Sequence, residues 1–429
     1  MERYDVAIIG AGPAGCAAAI SLARENFKVL VVERGKTPGS KNVFGGRIYS
    51  YPLFKLVPEW QKDCHVERFV SKDGLAFMTG DQSLFLEFES PRLASGKAAS
   101  FTALRSRFDN WLAQKAETAG ATLITEIRVD DLIMEGGQTK GIVAGSDRIG
   151  ADVVIGADGV VSKFAERAGL RSDMQARMIS IGVKETIGLA PENIQERFGL
   201  AENEGAAYVL AGEPSGYMNG GGFMYTNKDS VSLGLVVSSV ALSERKVEIH
   251  TLQERFKRHP MVAKMLRGGK ILEYSSHLIP ELGIGTLRRA YADGFLAVGD
   301  AAGFLINNGY TFRGVDLAMA SGMAASEAVK LASASGDYSE TGLAVYESIL
   351  RRDNILTDLA AFRKGPQYMA NPRLYSLYPK LLCDLMERIY RIDGSGKKKA
   401  LETVLEELRA KDASILAMIK DLVGGVISM

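Results

Sequence analysis

"YDVAIIGAGPAGCAAAISLARENFKVLVVERG", Tyr4 to Gly35, reads as strand, tight turn, helix and second strand. Val6 to Ile9 is a short apolar run of the kind found in a buried parallel strand. Ala14 to Arg24 is small and helical, and Lys28 to Val32 forms the next strand, ending at Glu33. Between them, Gly10 to Gly15 spell G-x-G-x-x-G. Gly10 permits the tight turn, Gly12 lets backbone approach a pyrophosphate, and Gly15 lets helix and strand pack closely. The helix N-terminus adds partial positive charge. Glu33 stands at the distance where a carboxylate takes ribose hydroxyls. The unit predicts dinucleotide binding, with Pro13, Ala14 and Arg34 among the contacts; the competing reading is a tight turn with no ligand.

A second stretch, "VGDAAGFLINNGYTFRGVDLAMASG" from Val298 to Gly322, separates NAD from FAD. An apolar strand ends in Gly299 and Asp300, and small residues follow. FAD needs contacts far along the chain for its ribityl–phosphate part. Asp300 can accept from ribityl hydroxyls, and Ala301, Ala302 and Gly303 are expected to leave room for the cofactor. The helix beginning near Arg313, Gly314 and Val315 can point N–H groups at the flavin edge. "GADG", ending in Asp158 and Gly159, is a third candidate contact, although Asp-Gly is also a common turn.

The remainder of the chain bounds these readings. Its 429 residues favour a large α/β core with a second lobe. Fifty-two basic and 51 acidic residues, net +1, argue against a nucleic-acid partner. Cys16, Cys64 and Cys383 are far apart and form no CxxC, so a zinc ribbon, a dithiol centre or an iron–sulfur cluster held by this chain alone is not expected. This usage fits a reducing compartment. The four histidines, His65, His250, His259 and His277, show no ligand spacing, so no metal is expected. The N-terminal stretch does not divide as a secretory signal, and no long uncharged apolar run predicts a transmembrane helix.

"LRSRFDNWLAQKAETAGATLIT" (Leu104 to Thr125) predicts a helix followed by a strand. From about Met178 to Glu273, longer, partly alternating strands suggest an antiparallel lobe. The fold class is therefore α/β. A Rossmann-like FAD-binding domain, built from discontinuous segments, is expected over 1–177 and 274–365. An antiparallel-sheet substrate domain is expected over 178–273, and a helical region for partner or membrane contact over 366–429.

"GAGPAG" with Glu33, "GADG" and "GFLAVGDAAG" together resemble the motifs of glutathione-reductase-type FAD flavoproteins, in the p-hydroxybenzoate-hydroxylase-like branch. The resemblance covers nearly the whole chain. It implies that Arg105 contacts FAD and that Val129 makes a backbone contact to adenine. "SKNVFGGRIYS", "GGGFMYTNKDSVSLGLVV" and "AGFLINNGYTFRGVDLAMASG" further resemble the FixC, or EtfC, subunits of the electron-transfer flavoprotein:quinone oxidoreductase family. That family implies FAD that accepts electrons from the α and β subunits of an electron-transfer flavoprotein and passes them to a quinone. The full-length oxidoreductase carries a four-iron cluster domain. This sequence lacks the cysteines for one, which points to a separate small ferredoxin-like subunit. The implied location is the cytoplasmic face of the cytoplasmic membrane, peripherally bound.

No catalytic side chain stands out; the flavin carries the redox chemistry. "YMNGGGFMY" admits two readings: a flexible hairpin bend, or a strand brought close to the flavin, with Tyr217, Gly220, Gly221, Gly222 and Phe223 on the quinone side. Tyr310 beside the third motif is a loop residue or a flavin-side contact. Lys41, Gly46 and Arg47 flank a glycine pair expected near the isoalloxazine, although Arg47 also reads as a surface charge. "YPLFKLVPEW" (Tyr51 to Trp60) reads first as core, with a membrane or quinone entrance as the alternative. Ile415, Leu416, Ile419, Leu422, Val423 and Val426 share helical spacing and suit a core, a partner subunit or a membrane surface, with a protein contact preferred. The main alternative function is a geranylgeranyl-reductase-like flavoenzyme acting on isoprenoid double bonds. That family shares "GDAAGF" but carries a Trp-Phe-Pro signature missing from "GGGFMYTNKD".

Overall fold

Val6, Ala7 and Ile8 have no exposed surface, because their strand has parallel neighbours on both sides. A computed structural model describes residues 2–40, 46–171, 175–280, 289–411 and 413–428. In it, strand Arg3–Ile9 is flanked by Val29–Val32 and Asp147–Gly156. The sheet extends through Thr122–Ile124 on one side and Phe295–Ala297 on the other. This brings the ends of three sequence-distant strands together: Gly10, Ala157 and Val298 follow directly on them.

Helix Pro13–Arg24 covers one face of this sheet and is itself crossed by the 21-residue helix Val315–Ser335. A Cβ on Gly322 would stand 2.2 Å from the Ala14 carbonyl, and Ser326 donates to the Ala18 carbonyl at 3.0 Å. The small residues of "DLAMASG" therefore let two helices touch. Ala301 and Ala302 are buried in protein, not on a ligand surface. Neither alanine lines the cavity described below, and helix packing accounts for Gly322 and Ser326 further along.

The second sheet has nine strands. In space they run Lys270–Pro280, Ile179–Gly188, Ser230–Ser238, Gly220–Thr226, Glu204–Gly212, Arg68–Met78, Ser100–Thr102, Arg47–Tyr49, with Ser83–Glu89 beside Arg68–Met78. The lobe is thus not confined to 178–273. Four of its strands come from residues 47–102, and Arg68–Met78 joins Glu204–Gly212 by a parallel ladder in an otherwise antiparallel sheet. A parallel neighbour needs a long crossover, so its place is invisible to local pattern. Ser83–Glu89 is mostly exposed and lacks a clean alternation.

Leu53, Leu56, Val57 and Trp60 are buried in the main core, so "YPLFKLVPEW" is core. Trp60 stacks on Phe101 with ring centres 5.3 Å apart. The chain after Gly336 is helical, as expected. No helix among the described residues is long and apolar enough to cross a membrane.

Candidate functional site

The loop after strand Arg3–Ile9 is built for a close approach. Gly10 has φ +103°, and a Cβ there would lie 2.5 Å from the Ala157 carbonyl. A Cβ on Gly15 would lie 2.0 Å from the Gly10 carbonyl. Gly12 differs: nothing lies within 4 Å of where its Cβ would stand. Two of the glycines serve the turn, and the third leaves an open cradle at a helix N-terminus. Glu33 braces this loop, accepting from the Ala11 N–H at 3.0 Å and the Gly35 N–H at 2.6 Å.

The cradle opens into a cavity of about 310 Å³. Gly12, Pro13, Ala14, Gly46, Arg47, Arg105, Gly159, Asp300, Arg313, Gly314 and Val315 all line it, as do Gly220, Gly221, Gly222 and Phe223. The turn and the three separate motifs thus share one space. The walls carry fixed charges. Arg105 is buried, and both its Nε and Nη2 donate to Asp109 at 2.8 Å. Burial opposes its charge, but Asp109 outweighs that and holds the guanidinium above its ordinary value. Burial raises the Asp300 carboxyl, and Arg105 counteracts this. Arg47 is clamped by both oxygens of Asp73 and by Ser100, so it is no surface charge. Arg313 donates to Asp316 at 2.8 Å, Asp358 at 2.6 Å and Tyr51 at 3.2 Å, and its charged form is held firmly.

Other expected residues stand away from the cavity wall. Arg34 is exposed and Val129 is buried, and neither lines the cavity. Gly299 lies behind the wall, where its N–H donates to Ser321 at 2.9 Å. Asp158 accepts from Ser162 at 2.7 Å, and burial pushes its carboxyl up to about 6. Tyr217 is turned away, with the Lys380 ammonium 4.3 Å from its ring centre. Tyr310 is 50% exposed beside the rim, whereas its neighbours Gly309 and Phe312 line the cavity. Lys41 lies outside the described residues.

The glycine run has two faces. Phe223 and Tyr225 stack on the cavity side, with ring centres 5.0 Å apart, and Gly221 shares that face by the two-residue period. A Cβ on Gly222 would point the other way, 2.8 Å from the Phe256 ring. Gly220 has φ +144°, and a Cβ there would stand 2.2 Å from the Val236 carbonyl. The run is a paired strand, not a flexible bend.

Sequence reasoning passed over His277. It lines the cavity from the edge strand, opposite Gly182, and the Ser180–Ile279 pair beside it lines the cavity too. Burial, then Arg105 and Arg34, lower its imidazole to about 4, so it is neutral near pH 7. Considering the histidines only as metal ligands hid it; the alternation of Ser275, His277 and Ile279 was the available signal. No cluster suited to a metal ion occurs among the described residues.

The open cradle at Gly12, the carboxylate of Asp300 and the buried cation of Arg105 fit a long anionic cofactor with hydroxyls, and the chain is an FAD-dependent oxidoreductase. Residues 5–178 match the family model described as FAD dependent oxidoreductase. Residues 179–279 match that for ETF-QO, ubiquinone-binding, and residues 365–429 that for the ETF-QO/FixC family C-terminal domain. The chain is 40% identical over 428 residues to the probable electron transfer flavoprotein-quinone oxidoreductase YdiS of Escherichia coli K12, covering 100% of this chain and 99% of that one. It is 42% identical over 425 residues to the FixC protein of the same strain, covering 99% of each. The FixC protein of Azotobacter vinelandii is 37% identical over 403 residues, covering 92% of each. The chain therefore belongs to the electron-transfer flavoprotein:quinone oxidoreductase/FixC family. Among solved structures, a geranylgeranyl bacteriochlorophyll reductase-like protein from Thermoplasma acidophilum superposes with TM-score 0.72 at 21% identity, covering 98% of this chain and all of that one. The flavin-dependent brominase Bmp2 follows at TM-score 0.62 and 15% identity, covering 100% and 94%. Those likenesses are of fold. The full-length relatives favour the quinone oxidoreductase family over the geranylgeranyl reductases.

Proposed function

We propose that this chain takes electrons from an electron-transfer flavoprotein and delivers them to a quinone in the cavity just described. The observation that carries the reading is the shared wall: the cofactor cradle and the glycine-rich strand face one space. Bound FAD supplies the redox chemistry. The backbone at Gly12, Pro13 and Ala14 meets the pyrophosphate, and Glu33, Arg34 and Val129 serve the adenosine end. Gly159 and Asp300 serve the ribityl–phosphate end, with Asp158 and Gly299 supporting them from behind the wall. Gly314 and Val315 aim helix N–H groups at the ring, with Arg313 beside them, and Gly46 and Arg47 flank it. Gly221 and Phe223 form the quinone side. A small ferredoxin-like iron–sulfur subunit completes the electron route, and the site of work is the cytoplasmic side of the cytoplasmic membrane.

The test is anaerobic. The flavin of the purified protein is mixed first with NADH or NADPH, then with reduced electron-transfer flavoprotein, then with a soluble quinone. The expected record is no bleaching by either nucleotide, bleaching by the flavoprotein and recovery on quinone addition. Rapid bleaching by a nucleotide alone would refute the reading.

A further inference from the structure

Phe223 and Tyr225 stack on the cavity side, and of the two only Tyr225 ends in a polar atom. Tyr225 is 8% exposed, and its hydroxyl makes no hydrogen bond with a described residue. A phenol buried this deeply normally has a partner. Its ring lies against another part of the cavity wall: a Cβ on Gly46 would stand 3.3 Å from it. Three neighbours act on the hydroxyl: Arg47, Tyr49 and Asp73. The Arg47 guanidinium stands 5.0 Å from the Tyr49 ring centre and donates to both oxygens of Asp73. The Tyr49 hydroxyl is buried and has no partner either. Asp73 keeps 32% of its side chain exposed, against 11% for Arg47. The cluster therefore meets solvent at Asp73 and the cavity at Arg47 and Tyr225. Burial raises the Tyr225 phenol, Arg47 works against that rise, and Tyr49 and Asp73 add to it. The phenol is thus protonated near neutral pH and can donate. A guanidinium does not give up its own proton, so Arg47 is a fixed charge that favours the phenolate when one forms.

We propose that the Tyr225 hydroxyl donates a hydrogen bond to one carbonyl oxygen of the quinone and passes it a proton as the ring is reduced. The proposal rests on the quinone reading above. Gly221, Phe223 and Tyr225 share one face of the strand at the two-residue period, so a flat ring beside Gly221 and Phe223 has Tyr225 as its next neighbour. Conversion of a quinone to its quinol takes two electrons and two protons. Both electrons and one proton arrive with the reduced flavin. The second proton comes from the Tyr225 O–H bond, which breaks as a new O–H bond forms on the carbonyl oxygen. The phenolate left beside Arg47 takes a proton back from water, which the cluster reaches at Asp73.

The test compares the flavin-loaded protein with Tyr225→Phe. The variant loses an oxygen that no described residue holds, so it should fold and melt as the wild type does. The oxidised proteins, with no electron donor present, are titrated by calorimetry with 2-methyl-1,4-naphthoquinone and with 2-methylnaphthalene. The variant should bind the quinone about 3- to 10-fold more weakly, and the hydrocarbon equally well. The two apoproteins should bind FAD with the same affinity. The flavin is then photoreduced without oxygen and reoxidised by the same quinone in a stopped-flow instrument. The variant's rate should fall at least about tenfold. Added imidazolium buffer should restore part of the rate in the variant alone, and deuterated water should slow the wild type. An unchanged reoxidation rate would overturn the proposal. So would weaker FAD binding with unchanged quinone affinity, because the hydroxyl would then serve the cofactor. A wild-type protein that neither binds nor reduces the quinone would sink the quinone reading itself, and this proposal with it.

Discussion

Asp300 sits on the cavity wall with the buried guanidinium of Arg105 acting on it. A charge-assisted hydrogen bond from a ligand hydroxyl to such a carboxylate contributes about 1.5–3 kcal/mol. Asp300→Asn keeps the size and removes the charge. We expect flavin affinity to fall by about 10- to 100-fold, read as the dissociation constant in a fluorescence titration of apoprotein. Unchanged affinity would remove Asp300 from the binding set. His277 supplies a pH prediction. Its folded value of about 4 lies below the ordinary value near 6.5. Between those limits the unfolded chain binds the extra proton. Its contribution to stability is therefore complete above about 6.5 and is lost as pH falls toward 4. His277→Gln should flatten that part of the profile, measured by urea unfolding at a series of pH values. Asp300 was legible because its motif is local: a strand end, an acid, then a turn. His277 and the Arg47–Asp73 clamp were not, because tertiary approach alone brings them to the wall.

At the level of elements, the glycine-rich strand separates two roles that the sequence shows as one run. Gly222→Ala would press a methyl to 2.8 Å from the Phe256 ring. Overpacking of this kind costs about 1–3 kcal/mol, and chemical denaturation should show it. An unchanged midpoint would mean that the Phe256 helix gives way. The Gly10–Gly15 turn was readable because its glycines are spaced within one local strand–turn–helix unit, although the close approach at Gly10 is to the distant Ala157 carbonyl. The strands between Arg47 and Thr102 were not. Arg47–Tyr49 and Ser100–Thr102 are three residues each, and Arg68–Met78 takes its place through a partner more than a hundred residues away. The C-terminal stripe was legible as a helix, but which way it faced was not: that depends on Asp421 meeting Arg373 across the fold.

For the whole molecule, the two sheets share one wall, so the cofactor should tie them together. A ligand that binds only the folded state stabilises it by mass action. Saturating FAD should raise the midpoint of thermal unfolding, and in Asp300→Asn the gain should shrink. A scan with two flavin-independent transitions would show instead that the lobes melt separately. The topology carries a consequence for synthesis. One sheet waits for Phe295–Ala297 to join Asp147–Gly156, and the other waits for Lys270–Pro280 to join Ile179–Gly188. Both therefore close only when about two thirds of the chain has left the ribosome. Until then the nascent chain carries open strand edges, which invite mispairing. Folding should lean on chaperones, and because the strands of the two sheets interleave along the chain, a cut after Met178 should split both sheets and yield two insoluble fragments.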